Sequence, residues 1–196
     1  WGAKEPPMLQ QSLLAALLSL RPFHLDVETE EERLLRLTTI STAIASAAAE
    51  ATCEGAPAEA GCQPIYAGNT RELAFLLVSQ AYHETRFARH VHEGRCRTNI
   101  GECDSGRAIG LWQLQAGAHL PKSRWQTLAG SYFDATRRSA IEAARALGRG
   151  LNYCRSTRGA IALYATGRKC DWPGAEGRYK SYRNLLERFY SEVHSR

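Results

Sequence analysis

Apolar residues recur along this chain at helical spacing, in blocks separated by breaks rich in glycine and proline. Residues 8–20 put Leu9, Leu13, Leu17 and Leu20 on one side of a short helix, which Arg21-Pro22 ends. Residues 27–52 form a longer helix with Leu34, Leu37, Ile40, Ile44 and Ala48 as its stripe. Its acidic first turn suits the helix dipole. The same spacing predicts helices over 70–88, 107–119, 134–154, 158–166 and 176–192. Asn69 or Thr70 is placed to cap the first of these five, and Asp134 the third. Residues 53–69 and 89–106 read as irregular loops. No alternating strand pattern of any length is present, and only a very short hairpin near residues 95–106 fits. The expected fold class is therefore mainly α.

The helix over 70–88 carries an anomaly. At about 100° per residue, Leu73, Leu77 and Glu84 fall within about 20° of one line, with Ala81 close by. Glu84 therefore continues an apolar stripe. A carboxylate so placed is costly to ionise, and burial raises its pKa towards the range a general acid needs near neutral pH. The same spacing also suits a plainer arrangement, a helix-end glutamate paired with Arg86 or Arg89.

Composition narrows the setting. A chain of 196 residues is long enough for one well-buried domain with an appended helical segment. The net charge of +5 favours polyanionic partners without choosing among them. Cys53, Cys62, Cys96, Cys103, Cys154 and Cys170 fall as three sequence-local pairs. An even count without a CxxC favours disulfides over zinc, and the simplest pairing is Cys53–Cys62, Cys96–Cys103 and Cys154–Cys170. Disulfides imply an exported protein, in the periplasm, the cell envelope or outside the cell. No signal peptide is visible and the chain begins at Trp1 without a Met, so a mature product or a trimmed chain is expected. No apolar run is long enough for a membrane-spanning helix.

Three short stretches, in order, resemble the soluble lytic transglycosylase and goose-type lysozyme branch of the lysozyme-like superfamily. Glu84-Thr85-Arg86-Phe87 is similar to that family's Glu-Ser-x-Phe, and Gly110-Leu111-Trp112-Gln113 to its Gly-Leu-Met-Gln. Leu163-Tyr164-Ala165-Thr166-Gly167 is similar to Ala-Tyr-Asn-x-Gly. The resemblance spans roughly residues 70–190. Thr85 keeps the hydroxyl, and Trp112 keeps an apolar wall and adds a stacking face. Ala165 lacks the amide that helps bind substrate in the family.

The resemblance implies a lysozyme-like helical domain over 70–196 and an N-terminal helical extension, residues 1–69, packed on its core. It implies cleavage of the β-1,4 bond between N-acetylmuramic acid and N-acetylglucosamine in peptidoglycan glycan strands, with Glu84 as acid and base. Thr85, Gly110, Trp112, Gln113 and Tyr164 fall on the substrate side. Tyr164 would orient Glu84, Gln113 would reach the substrate, and Trp112 would wall a groove, with a core position its alternative and the expected place of Tyr82. Gly106 and Gly110 would let the backbone approach Glu84. Hydrolysis calls for a second carboxylate, for which Glu93, Glu102 and Asp104 are the candidates. A transglycosylase manages with Glu84 alone and is the favoured form. No cofactor or metal is implied, and a monomer is expected.

Other classes fit less well. His83-Glu84 begins an HExxH zinc motif, but Phe87 stands where the second histidine belongs. His90-x-His92-Glu93 lacks a third ligand in register. The basic residues are scattered and match no nucleic-acid motif, so no nucleic-acid partner is expected. A silent peptidoglycan-binding module on the same fold is the non-enzyme alternative.

Overall fold

The computed structural model describes residues 6–20, 28–54, 56, 61–95, 107–117, 119–121, 123, 126–128 and 130–191. Among these it is mainly helical, with seven helices and one small antiparallel sheet. The helices are α1 (Pro6–Ser19), α2 (Glu30–Thr52), α3 (Thr70–Thr85), α4 (Arg89–His92), α5 (Phe133–Cys154), α6 (Thr157–Thr166) and α7 (Gly174–Ser191). None is long and apolar enough to cross a membrane.

Helix α3 runs through the middle of the fold. Every residue from Leu73 to Ala81 is buried, so the helix has a buried sleeve rather than the single stripe its sequence suggested. Asn69 caps its start, accepting from the Glu72 amide at 2.8 Å. Around it pack α1, α2 and α7, and α2 also lies along α5. One apolar core joins residues from all five helices.

Small residues set the α2–α5 spacing. Ala43, Ala47 and Ala48 on α2 and Ala140, Ala143 and Ala144 on α5 are all fully buried. Gly148 of α5 lies beneath the loop after α2, where a Cβ would sit 2.2 Å from the Ile65 carbonyl oxygen. Alanine in a helix interior usually gains up to about 1 kcal/mol over glycine. Here the clash is with backbone, and Gly148→Ala is expected to cost about 3 kcal/mol. Thermal unfolding checks the sign: a fall in Tm of roughly 6–12 °C is expected, and a rise contradicts this packing.

Three local expectations are corrected. Residues 107–119 are not a helix: β1 (Ala108–Ile109) pairs antiparallel with β2 (Leu114–Gln115) across a tight turn. Gly110 (φ +67°) and Gln113 (φ +46°) take left-handed conformations that a helix cannot contain. Leu111, Trp112 and Leu114 are buried all the same, and that apolar run imitated a helix in the sequence. Residues 96–106, near which a hairpin was expected, lie outside the described residues, and the observed hairpin follows them. Second, Tyr132 and not Asp134 holds the cap position of α5, and it makes no side-chain cap bond. Third, Leu34 is 47% exposed, because the first turns of α2 stand clear of its neighbours and burial begins at Arg36.

Disulfides join Cys53 to Cys62, just after α2, and Cys154 to Cys170, across α6. Each closes a short loop and contributes about 3 kcal/mol on the chain-entropy account. Cys96 and Cys103 lie outside the described residues, as do Glu102, Asp104 and Gly106.

Candidate active site

Glu84 lies on the last turn of α3, and the backbone beyond it folds back sharply. Arg86 (φ +48°) and Phe87 (φ +55°) are consecutive left-handed residues, a conformation costing about 1–2 kcal/mol each for a side chain other than glycine. The turn is braced from three sides. The Arg86 amide donates to the Tyr82 carbonyl at 2.9 Å. Phe87 is buried, 1% exposed. Arg36 of α2, itself held by Glu28, donates to the Phe87 carbonyl at 2.8 Å. Gln113, opposite, is left-handed as well. Strain of this kind gathers where a geometry is over-determined, often at functional sites.

The three stretches singled out in the sequence meet here. The Thr85 hydroxyl reaches both the Ala81 carbonyl of its own helix (3.0 Å) and the Leu111 carbonyl of the hairpin turn (3.1 Å). Trp112 Nε1 donates to the Leu77 carbonyl at 3.0 Å. Tyr164, from α6, donates to the Trp112 carbonyl at 2.7 Å. Its phenol is held well above its usual range, by burial first and by the Glu84 charge second, with Arg178 opposing. Glu84, Tyr164 and Arg178 therefore share one electrostatic neighbourhood.

The Glu84 carboxylate is paired with Arg178 of α7. Both side chains are less than a fifth exposed, at 18% and 17%. Arg178 also faces the Gln80 amide oxygen at a long 3.5 Å and lies over the Trp172 ring, 5.5 Å from its centroid. His83, one residue before Glu84, has a buried Nε2 with no partner among the described residues. Burial, then Arg178, then Arg86 lower its pKa, so the ring is neutral at pH 7.

The chain matches no protein-family model, no curated protein and no solved structure.

Several expected roles change on this geometry. Trp112 is completely buried and walls no groove; it holds the hairpin turn against α3. Tyr82, expected in the core, is half-buried and packs against it, beside His83 and Phe87. Tyr164 gives its one proton to the Trp112 carbonyl, so it does not hydrogen-bond Glu84 through that proton. At Gly110 a Cβ would meet only Ser139 Oγ at 3.7 Å, so the glycine serves the left-handed turn and not a close approach to Glu84. Gln113 is half-buried and folds its amide onto the Gly110 carbonyl at 3.1 Å.

Glu93 is engaged by Arg89 at 2.8 Å and Arg95 at 2.6 Å. Burial pushes its carboxyl up, but the hydrogen bonds from the two arginines prevail and hold it below the usual range. Among the described residues, no group of three His, Cys, Asp or Glu side chains is placed to hold a metal ion.

Reading the sequence missed Arg178, Gln80 and Trp172, and weighed His83 only as a zinc ligand. Arg178 had left a signal. Ala175, Tyr182, Leu185 and Phe189 form the buried stripe of α7, and Arg178 falls on it between the first two.

Proposed function

We propose that this protein cleaves the β-1,4 bond between N-acetylmuramic acid and N-acetylglucosamine in peptidoglycan, as a lytic transglycosylase with Glu84 as its acid and base. One observation carries the reading. Glu84-Thr85, Leu111-Trp112 and Tyr164 lie far apart in the sequence and are joined by hydrogen bonds around the end of α3. They belong to the three stretches that resemble the family's motifs, in a mainly α fold with a short hairpin between them.

In this reaction Glu84 gives its proton to the glycosidic oxygen, and the bond from that oxygen to the muramic acid C1 breaks. The 6-hydroxyl oxygen of the same muramic acid then bonds to C1 and returns its proton to Glu84. The products are a 1,6-anhydro end and a free 4-hydroxyl, and no water is consumed. This route needs only one carboxylate, whereas hydrolysis calls for a second; of the candidates for it, Glu93 is held by Arg89 and Arg95. The two disulfides favour an exported protein acting on the cell wall.

A second reading, a silent binding module, is favoured by the Glu84–Arg178 pair, which occupies the carboxylate an acid catalyst needs. Incubation of the purified protein with purified peptidoglycan separates the two. Released muropeptides carrying anhydro ends, lighter by one water than reducing ends, support the transglycosylase. Reducing ends indicate a hydrolase, and strands bound but left uncut indicate a module.

A further inference from the structure

The Glu84–Arg178 pair poses a problem that the chemistry proposed above must solve. An acid catalyst enters its reaction with a proton on the carboxyl. If Glu84 becomes neutral in place, Arg178 is left as an unpaired cation at 17% exposure. Breaking one side of such a pair is costly, because the remaining charge keeps its desolvation penalty and loses its partner. Something must replace the negative charge when Glu84 gives it up.

The surroundings of Arg178 are arranged to keep it in place while its partner changes. The Trp172 ring lies against the guanidinium on one side, and the Gln80 amide oxygen stands 3.5 Å from Nη1 as a second acceptor. Gln80 is itself fully buried, and its Nε2 has no partner among the described residues. Trp172 is fixed in turn. A Cβ on Gly174 would fall 2.3 Å from its ring, and Cys170, two residues earlier, is tied to α5 by the disulfide to Cys154. Arginine, with its planar fork of donors, is suited to exchange one carboxylate for another.

The geometry points to Arg178 as the receptor for a carboxylate carried by the glycan next to the bond that is cut, the docking of which releases Glu84 to act as the acid. This inference rests on the reading of Glu84 as the acid of peptidoglycan cleavage. The shared chemistry is a carboxylate, and the strand offers it in two places. One is the lactyl group of muramic acid once the stem peptide has been removed. The other is the stem peptide itself.

Three substrates decide the matter: intact peptidoglycan, strands stripped of stem peptides with free lactyl carboxylates, and the same stripped strands with those carboxylates converted to neutral amides. Wild type is expected to cut the better of the two anionic strands at least tenfold faster, in kcat/KM, than the amidated one. If the stripped strand is the better, the lactyl carboxylate is the ligand; if the intact strand is, the ligand lies on the stem. Arg178→Gln is expected to lose this charge preference. Arg178→Lys keeps the charge without the fork and is expected to retain part of it, and it guards against a folding defect in the glutamine variant. A merely structural pair predicts that both variants lower turnover on all three strands alike. That outcome, or equal wild-type rates on anionic and amidated strands, overturns the role of Arg178 and leaves the cleavage reading standing. Failure of wild type to cut any strand removes the cleavage reading itself.

Discussion

Glu84→Gln is expected to slow muropeptide release from peptidoglycan by a factor of about 10² to 10⁴, the usual weight of a positioned general acid. The substitution is close to isosteric and keeps an acceptor oxygen facing Arg178, so the contact survives as a neutral–charged hydrogen bond. What is lost is the transferable proton, since an amide cannot protonate a leaving oxygen. The lost charge has a structural cost too. With both side chains less than a fifth exposed, Arg178 keeps most of its desolvation penalty, and that cost is on the order of 2–3 kcal/mol. The two effects are read separately: turnover gives the chemistry, and thermal unfolding with far-ultraviolet circular dichroism gives the fold. A folded Glu84→Gln variant that retains more than a tenth of the wild-type rate takes Glu84 out of the reaction.

The helices were legible because their apolar positions recur at the right period and their ends carry the right residues. Asn69 caps α3 as its side chain suggests. Ser156 does the same for α6, accepting from the Gly159 amide at 3.0 Å, and Gly167 ends that helix in a left-handed conformation. The hairpin was not legible. A buried turn containing Leu111, Trp112 and Leu114 has the hydrophobicity of a helix, and what excludes a helix is the left-handed backbone at Gln113, a residue type that gives no warning of it.

Much the same holds at the site. Glu84 stood out as a charge on an apolar stripe, and it is indeed partly buried. The same test applied to α7 singles out Arg178. Two opposite charges, each interrupting the buried stripe of its own helix, are physically bound to find one another, because neither is affordable alone. The error over Trp112 was of another kind. Sequence spacing places a residue near a site but does not say whether its ring faces the ligand or the core, and here the indole N–H finds its partner in the Leu77 carbonyl.

Acid is expected to weaken the fold through His92, which links the core to the turn beyond Glu84. His92 is 2% exposed. Its Nε2 lies 2.9 Å from the Thr136 hydroxyl, which donates its own proton to the Tyr132 carbonyl. Nε2 must then carry the hydrogen, and Nδ1 is a bare acceptor, buried and without a partner among the described residues. Protonation would place an unpaired N–H and a positive charge inside the protein, facing Arg36. Burial, then Arg36, push the ring down to about 3, with Glu93 opposing. Between the unfolded value of about 6.5 and that folded value, the unfolded chain binds the extra proton. Stability is therefore unaffected by this group above about pH 7. It falls as pH drops through 6 and below, by up to about 1.4 kcal/mol per pH unit, and reaches about 4–5 kcal/mol by pH 3. The loss bears on the site because Arg36, which His92 faces, donates to the Phe87 carbonyl and braces the left-handed turn. Urea unfolding of wild type and His92→Gln at pH 7 and pH 4 isolates the effect, since the carboxylates titrate in both proteins and cancel in the difference. The variant is expected to be somewhat weaker at pH 7, having exchanged a fitted ring for an amide, but to lose several kcal/mol less on acidification. Equal losses in the two proteins would mean that His92 is not the group that takes up the proton.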